Sequence, residues 1–227
     1  MKFTRRRLLS TAAIGTSVSL AGVGLSSSDA VAYQSSTTMG SGPSVRVNWR
    51  ETHNGSVLES GDETAEGPVL NIGNAQPGDS GSLAFQVTPE TSDGGANVWF
   101  SLSLDANDEN GRNEPERAAG DTTADRGELA DALEVAAWYD TGSFGVSGLG
   151  GCDGNLDAAE TVLVDGSLVD ADAALAEGVS LGGDCLEADS GACVGISWSL
   201  PASVGNQIQG DSVDVSLSFT VESCGET

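Results

Sequence analysis

Residues 213–221 read VDVSLSFTV, in which an apolar and a polar residue alternate over nine positions. Side chains of a β-strand point alternately to the two faces of a sheet, so this stretch predicts a strand with one buried and one wet face. Other alternating or short apolar runs lie at 45–50, 69–72, 82–87, 98–104, 135–139 and 194–200. About seven strands of this kind predict an all-β domain, a jelly-roll-like β-sandwich.

Turns and two short helices separate these runs. Residues 76–79, QPGD, predict a tight turn with glycine at its third position. Leucines four apart in 127–134 predict a first helix, and Ser167 with Asp170 forms a capping-box pattern at the start of a second helix over 167–175. Residues 51–68 and 105–126 are acidic and lack an apolar period, so we expect loops there.

The front of the chain has the order of a cleaved export signal. Lys2 and three arginines at 5–7 precede a mildly apolar stretch at 8–25, and Ala30-Val31-Ala32 follows as a small-x-small cleavage site. The arginine pair ahead of two leucines resembles a twin-arginine signal; the alternative is an ordinary signal for unfolded export with one extra arginine. We therefore expect a signal at 1–32, a flexible arm at 33–44 and one domain at 45–227.

The predicted mature chain is strongly acidic. Without residues 1–32 it keeps five of nine cations, all arginine, and 33 of 34 acids, which gives a net charge of −28 over 195 residues. Such a surface repels nucleic acid and anionic lipid, and molar salt screens its self-repulsion. A salt-adapted extracellular protein fits this composition. An acidic disordered chain is the alternative, which the alternating apolar runs disfavour.

Four cysteines lie in the second half of the chain: Cys152, Cys185, Cys193 and Cys224. An even number in an exported chain predicts two disulfides, for which three connectivities exist. We favour Cys185 with Cys193 across a hairpin and Cys152 with Cys224. A metal site is the alternative, but no pair has the two-residue spacing common among zinc ligands.

The chain offers no catalytic pattern that we can defend. His53 is the single histidine, in a predicted surface loop, and neither a nucleophile elbow nor a paired-histidine motif occurs. We therefore expect no enzyme and no catalytic residue. Calcium could be held by Asp153, Asn155 and Asp157, whose spacing resembles a calcium loop, and less well by 105–111; a plain acidic loop is the alternative.

Several stretches together resemble the secreted TasA-like proteins and archaeal bundling pilins of halophilic archaea, often described as having a SipW-dependent-type signal. The resemblance covers most of 69–224 and is carried by GELADAL at 127–133, WYD at 138–140, GSL at 166–168, WSLP at 198–201 and VGNQIQGDS at 204–212. It implies a jelly-roll sandwich that polymerises into biofilm-matrix fibres, with the arm of one subunit completing the sheet of the next. Tyr33 is then the candidate subunit contact.

Two functions follow as hypotheses. The first is a secreted structural subunit of a cell-surface or matrix fibre that self-associates by strand addition. The second is a monomeric secreted module that binds calcium or glycan, suggested by the acidic loops at 105–126 and 153–160. Neither hypothesis requires a cofactor other than calcium, and the mature form has no stretch expected to span a membrane.

Overall fold

Two antiparallel β-sheets face each other across one hydrophobic core in the computed structural model of the chain. It describes residues 31–32, 45–64, 69–73, 75–90, 95–142, 151–188 and 190–224. In chain order the strands are β1 (Val31–Ala32), β2 (Val45–His53), β3 (Ser56–Thr64), β4 (Val69–Gly73), β5 (Ser80–Pro89), β6 (Ala96–Asp108), β7 (Glu134–Tyr139), β8 (Thr161–Ser167), β9 (Val179–Leu186), β10 (Ala192–Ser199) and β11 (Ser212–Ser223). The helices are α1 (Glu114–Ala119), α2 (Leu129–Ala132) and α3 (Leu168–Leu175).

The strand order is that of a jelly roll. One sheet has the order β1-β4-β11-β6-β9 and the other β3-β2-β5-β10-β7-β8. From β4 to β11 successive strands alternate between the sheets, except for the neighbours β7 and β8. The eight strands therefore form the paired Greek keys of a jelly roll, to which the β2–β3 hairpin and the short β1 add edges. The predicted all-β sandwich is confirmed, with three short helices.

Three phenylalanines join the sheets. The ring of Phe219 on β11 lies 5.5 Å from that of Phe100 on β6, within the same sheet. It also lies 5.6 Å from the ring of Phe85 on β5, in the facing sheet, in an edge-on arrangement. Such tilted pairs add to the stabilisation gained from burying the rings. Residues 213–221 thus form a central strand of the sandwich, with Val213, Val215, Leu217 and Phe219 buried.

The predicted turn and helices are largely confirmed. Asp79 N–H donates to the Gln76 carbonyl at 2.9 Å, and Gly78 has a positive φ of 98°. α3 begins after Ser167, whose hydroxyl accepts the Asp170 N–H at 3.1 Å while the Asp170 carboxylate accepts the Ser167 N–H. Both capping bonds satisfy amides that the first helical turn leaves unpaired.

The expected loop at 51–68 is wrong. β2 continues to His53, and β3 begins at Ser56 and returns along it. Asn54 and Gly55 connect the two strands with positive φ values of 47° and 76°. An Asn-Gly pair adopts this turn readily because asparagine and glycine tolerate the left-handed region, so the pair was itself a hairpin signal.

The favoured disulfide pairing is also wrong. Cys152 is bonded to Cys193, with 5.3 Å between their Cα atoms, and Cys185 is bonded to Cys224, with 5.9 Å. The hairpin expected between Cys185 and Cys193 does not form, because β9 and β10 belong to opposite sheets. The Cys152–Cys193 bond fastens the loop that follows Cys152 to β10. The Cys185–Cys224 bond joins the end of β9 to the end of β11.

The acidic segment 105–126 is more ordered than expected. β6 extends to Asp108, and α1 follows as a helix of six residues that the sequence prediction missed. Asn113 caps α1 in a capping box with Glu116, and Gly120 ends it with a left-handed φ of 94°. This segment forms most of the site described below.

The predicted signal and arm lie largely outside the described residues. Of the signal, Val31 and Ala32 are described, and they pair with Ile72 and Asn71 at the edge of β4. The arm at 33–44, with Tyr33, lies outside the described part of the chain. No helix among the described residues is long and apolar enough to cross a membrane. The two cysteine pairs fit an extracellular protein.

Candidate metal centre

Five carboxylates meet at one end of the five-stranded sheet. We call them the Glu109 cluster; its members are Glu109, Glu116, Asp121, Glu128 and Asp211. Backbone register explains how residues so distant in sequence come together, since Asp108 ends β6 and pairs with Ser212, which begins β11. Glu109 directly follows the first strand and Asp211 directly precedes the second. The segment between β6 and α2 supplies the other three acids.

Asp211 is anchored by one carboxylate oxygen. Its Oδ2 accepts the N–H groups of Glu128 at 2.7 Å and Leu129 at 3.1 Å, at the start of α2. A Cβ on Gly127 would lie 2.8 Å from this carboxyl group, so glycine permits the close approach. Asp211 is only 1% exposed, yet its Oδ1 has no hydrogen-bond partner. One oxygen therefore fixes the side chain and the other remains available.

Glu116 is held in the same way by the capping box of α1. Its Oε2 accepts the Asn113 N–H, while Asn113 Oδ1 accepts the Glu116 N–H at 3.1 Å. Asn113 Nδ2 also donates to the Gln209 carbonyl at 2.6 Å, which ties α1 to the segment leading into Asp211. Glu116 is 0% exposed, and its Oε1 has no partner.

Thr123 orients the remaining pair of acids. Asp121 Oδ1 accepts the backbone N–H of Thr123 at 2.8 Å and lies 2.8 Å from the Thr123 hydroxyl, whose single proton is donated to Asp121 or to Glu128. The same hydroxyl contacts Glu128 Oε1. Asp121 Oδ2 and Glu128 Oε2 are buried and have no partner. The four outer carboxylates thus share one arrangement, with one oxygen bonded to the surrounding structure and the other unpartnered.

Glu109 lies among these unpartnered oxygens. It is 3% exposed, and neither of its carboxylate oxygens has a hydrogen-bond partner. Neither ion pair between described residues, Arg46–Glu90 or Arg126–Asp131, involves the cluster, and the charge of Arg112 acts on Asp121 alone among the pKa shifts of Glu109, Asp121 and Asp211. Burying an ionised carboxylate without a partner costs several kcal/mol, roughly, which makes a compensating cation or proton necessary.

The pKa values of the acids in the cluster also reflect the cost of their buried negative charges. Burial raises the pKa of Glu109 from 4.5 to about 7, and the neighbouring charges, above all that of Asp211, add to the increase. Burial likewise raises the pKa of Asp211 from 3.8 to about 6, against the opposing effect of its two backbone hydrogen bonds. Burial acts on Asp121 too, but hydrogen bonds from Thr123 outweigh it and lower the pKa of Asp121. When Glu109 is protonated, its carboxyl group can donate a hydrogen bond to Asp121. A proton and a cation therefore compete for Glu109.

The cluster has oxygen ligands close enough together to hold a metal ion. Ligand oxygens of Glu109, Glu116 and Asp121 lie within 4.8 Å of one another, as do those of Glu109, Glu128 and Asp211. Oxygens on opposite sides of a calcium ion, each about 2.4 Å away, are separated by about 4.8 Å. Carboxylate oxygens suit calcium, magnesium and manganese. Among these ions magnesium usually keeps several waters, whereas calcium takes six to eight oxygen ligands.

The predicted calcium loop at Asp153, Asn155 and Asp157 has a different arrangement. Asp153 Oδ1 accepts the N–H of Asn155 at 2.8 Å, and the side chain of Asn155 is exposed. Asp157 N–H donates to Glu160 Oε2 at 2.9 Å. Neither group of three close acids found in the described residues includes this loop. Calcium binding there stays a prediction.

The disulfide Cys152–Cys193 and two buried acids shape that loop over the outer face of the six-stranded sheet. Asp140 Oδ2 accepts the Gly154 N–H at 2.7 Å, and Glu160 Oε1 accepts the Gly142 N–H at 2.8 Å. Burial raises the pKa of Asp140. Each acid has a backbone partner, although Asp140 Oδ1 is buried without one, and these hydrogen bonds and the disulfide hold the loop.

His53 lies in a strand, which corrects the loop expected from the sequence. It ends β2, is half-buried, and its ring lies 5.8 Å from that of Trp198. Sequence reasoning included Glu109 in the weaker calcium candidate at 105–111 but did not single out the other four members of the Glu109 cluster. The capping pattern of Asn113 and Glu116, with Pro115 between them and Gly120 after them, could have indicated an ordered helix in the acidic segment.

Comparison with models of protein families finds no match to this chain, and comparison with curated proteins finds none either. The likeness to TasA-like proteins and bundling pilins therefore stays a resemblance. The site is interpreted from its own geometry.

Proposed function

We propose that this protein is an exported β-sandwich that binds calcium at the Glu109 cluster and uses the ion to hold one end of the sandwich together. The observation that carries this proposal is the set of six buried carboxylate oxygens without a hydrogen-bond partner, two from Glu109 and one from each of the other four acids. Hydrogen bonds hold the four outer carboxylates in place. The ligands are thus preorganised, which lowers the cost of binding.

The burial of the cluster supports a structural ion. Glu109, Glu116 and Asp211 are each at most 3% exposed, which leaves little room for a substrate beside the metal. An ion there would connect the end of β6, helix α1 and the start of β11. We therefore propose a binding and structural role for this protein, without enzymatic activity.

Calcium titration calorimetry in molar KCl tests this function. We expect saturable heat for the native protein and its loss in Glu109→Gln, which removes the central charge but keeps the side-chain shape. Asp125→Asn is the matched control, because Asp125 is an exposed acid of the same segment and the change removes the same charge. Absence of saturable heat from native protein, or equal loss in both variants, contradicts the proposal.

A second candidate function is the fibre subunit, and the pairing of β1 with β4 favours it. Val31 and Ala32 are the last residues of the predicted signal and occupy the outer edge of β4. Cleavage after Ala32 would remove this strand and leave the edge of β4 with unpaired backbone groups, which readily accept a strand from another chain. The segment at 33–44 of a second copy is the proposed donor.

Electron microscopy in high salt tests this candidate. We expect fibres from protein beginning at Tyr33, and monomers both from protein that retains Val31 and Ala32 and from protein that lacks 33–44. Monomers from all three forms contradict strand addition, and fibres from all three show that assembly uses another surface.

A further inference from the structure

We propose that the Glu109 cluster holds two calcium ions, bridged by the carboxylate of Glu109. This inference rests on the calcium-binding function proposed above and adds the number and arrangement of the ions. A cluster of acids alone would not support it. Its independent support is that buried side chains direct unpartnered oxygens into the cluster, among them both oxygens of Glu109.

The distances divide the cluster into two groups of three acids. The first consists of Glu109, Glu116 and Asp121, and the second of Glu109, Glu128 and Asp211. Within each group the ligand oxygens lie within 4.8 Å of one another, and Glu109 is the member that both groups share. The oxygens of each group are close enough to share one ion, so the geometry favours two adjacent positions with Glu109 in common.

Glu109 is suited to bridge the two positions. It is the one member of the cluster with both oxygens unpartnered, whereas each outer acid has used one oxygen in hydrogen bonds. A bridging carboxylate gives one oxygen to each ion, and two ions that share ligands lie about 3.5 to 4 Å apart. Asp121 and Glu116 then belong to the first ion, and Glu128 and Asp211 to the second.

The charge of the Glu109 cluster also favours two calcium ions. When all five acids are ionised the cluster carries five negative charges, of which Arg112, whose Nη1 donates to the Asp121 carbonyl at 3.4 Å, offsets a part. One calcium ion leaves three negative charges in a buried site, whereas two leave one. Because uncompensated buried charge is costly, the second ion removes most of the remaining penalty.

Equilibrium dialysis with radioactive calcium in molar KCl measures the number of ions. We expect two tightly bound ions in the native protein and in Asp125→Asn. Asp121→Asn and Glu128→Gln are each expected to retain one, because each removes a ligand charge from one group only. Glu109→Gln is expected to bind neither ion tightly.

The outcomes separate this inference from the function on which it rests. One tight ion in native protein overturns the two-ion arrangement while leaving calcium binding intact, and no tight ion overturns both. Manganese provides a second readout, since two bridged Mn²⁺ ions give an exchange-coupled electron paramagnetic resonance spectrum. The uncoupled spectrum of isolated ions at a stoichiometry of two would contradict the Glu109 bridge.

Discussion

Glu109 and Asp211 are 102 residues apart in the chain and lie at the same end of one sheet, because the residues beside them, Asp108 and Ser212, are paired. Their carboxylates belong to one group of close acids, although like charges at such a distance repel. The backbone therefore holds a repulsive contact in place, and the proposed calcium ion would convert it into a stabilising one.

Calcium is expected to stabilise the folded protein through Glu109. At a calcium concentration about 100 times the dissociation constant, one ion contributes about 2.7 kcal/mol, which for a domain of this size raises Tm by about 5–10 °C. Thermal unfolding with calcium and with chelator measures the difference. The shift should persist in Asp125→Asn and disappear in Glu109→Gln, and a shift retained in Glu109→Gln would place the stabilising ion elsewhere.

Metal-free protein is expected to lose stability as pH rises from about 4.5 to 7. Folding raises the pKa of Glu109 from 4.5 to about 7, so the folded state binds its proton more tightly than the unfolded state does. The resulting stabilisation is complete below the unfolded pKa and is lost as pH rises through about 7. Asp211, with its pKa raised to about 6, acts in the same direction.

Denaturant unfolding in calcium-depleted buffer at pH 5 and pH 8 measures this change. Glu109→Gln should flatten the dependence and Asp125→Asn should not. With calcium present the trend should reverse, because deprotonated acids bind the ion. If metal-free protein is more stable at pH 8 than at pH 5, and Glu109→Gln does not alter the difference, then the titration of Glu109 does not control the stability.

Asn113 is expected to act on calcium affinity by positioning Glu116. Asn113→Ala removes the side-chain cap of α1, which costs about 1 kcal/mol, and the bond to the Gln209 carbonyl, so it loosens the helix that carries Glu116. The backbone N–H that bonds Glu116 Oε2 and the charge of the cluster stay unchanged. Ser167→Ala removes the matching cap of α3 and is the control. Calorimetry should show weaker calcium binding in Asn113→Ala only, and equal affinities would mean that the cap does not position Glu116.

Glycine at position 195 is expected to be required for stability, because the Trp138 indole ring packs directly against it. The two residues are paired across β7 and β10, and a Cβ at Gly195 would lie 2.2 Å from the indole ring, which is 1% exposed. Gly195→Ala should therefore lower stability by about 1–3 kcal/mol. Ser197→Ala, two residues along on the same face, should have a much smaller effect in denaturant unfolding. A neutral Gly195→Ala would show that the indole moves without cost.

The sequence predicted the strands that carry a strong alternating pattern, such as 213–221, because one face of each lies on the core. The edge elements were missed. β3 has the sequence SVLESGDET, which lacks a sustained apolar period, and its Asn-Gly turn was the better signal. Disulfide pairing could not be predicted, because it depends on which sheet each strand joins.

Only part of the candidate site could be predicted from the sequence. An acidic segment at 105–126 was recognised, but its acids could not be distinguished from those of a salt-adapted surface. Their selection depends on burial and on the long-range pairing that brings Asp211 to Glu109. Which oxygens remain unpartnered depends on local hydrogen bonds such as those of Thr123. Neither the burial of these acids nor the hydrogen bonding of their oxygens can be read from the spacing of residues in the sequence.

X-ray diffraction from crystals grown with millimolar calcium, measured where calcium scatters anomalously, shows whether the Glu109 cluster holds the ion. We predict strong anomalous density between Glu109 and the surrounding carboxylates, about 2.3 to 2.6 Å from their unpartnered oxygens. A cluster without such density, in crystals that contain calcium, would contradict the proposed metal centre.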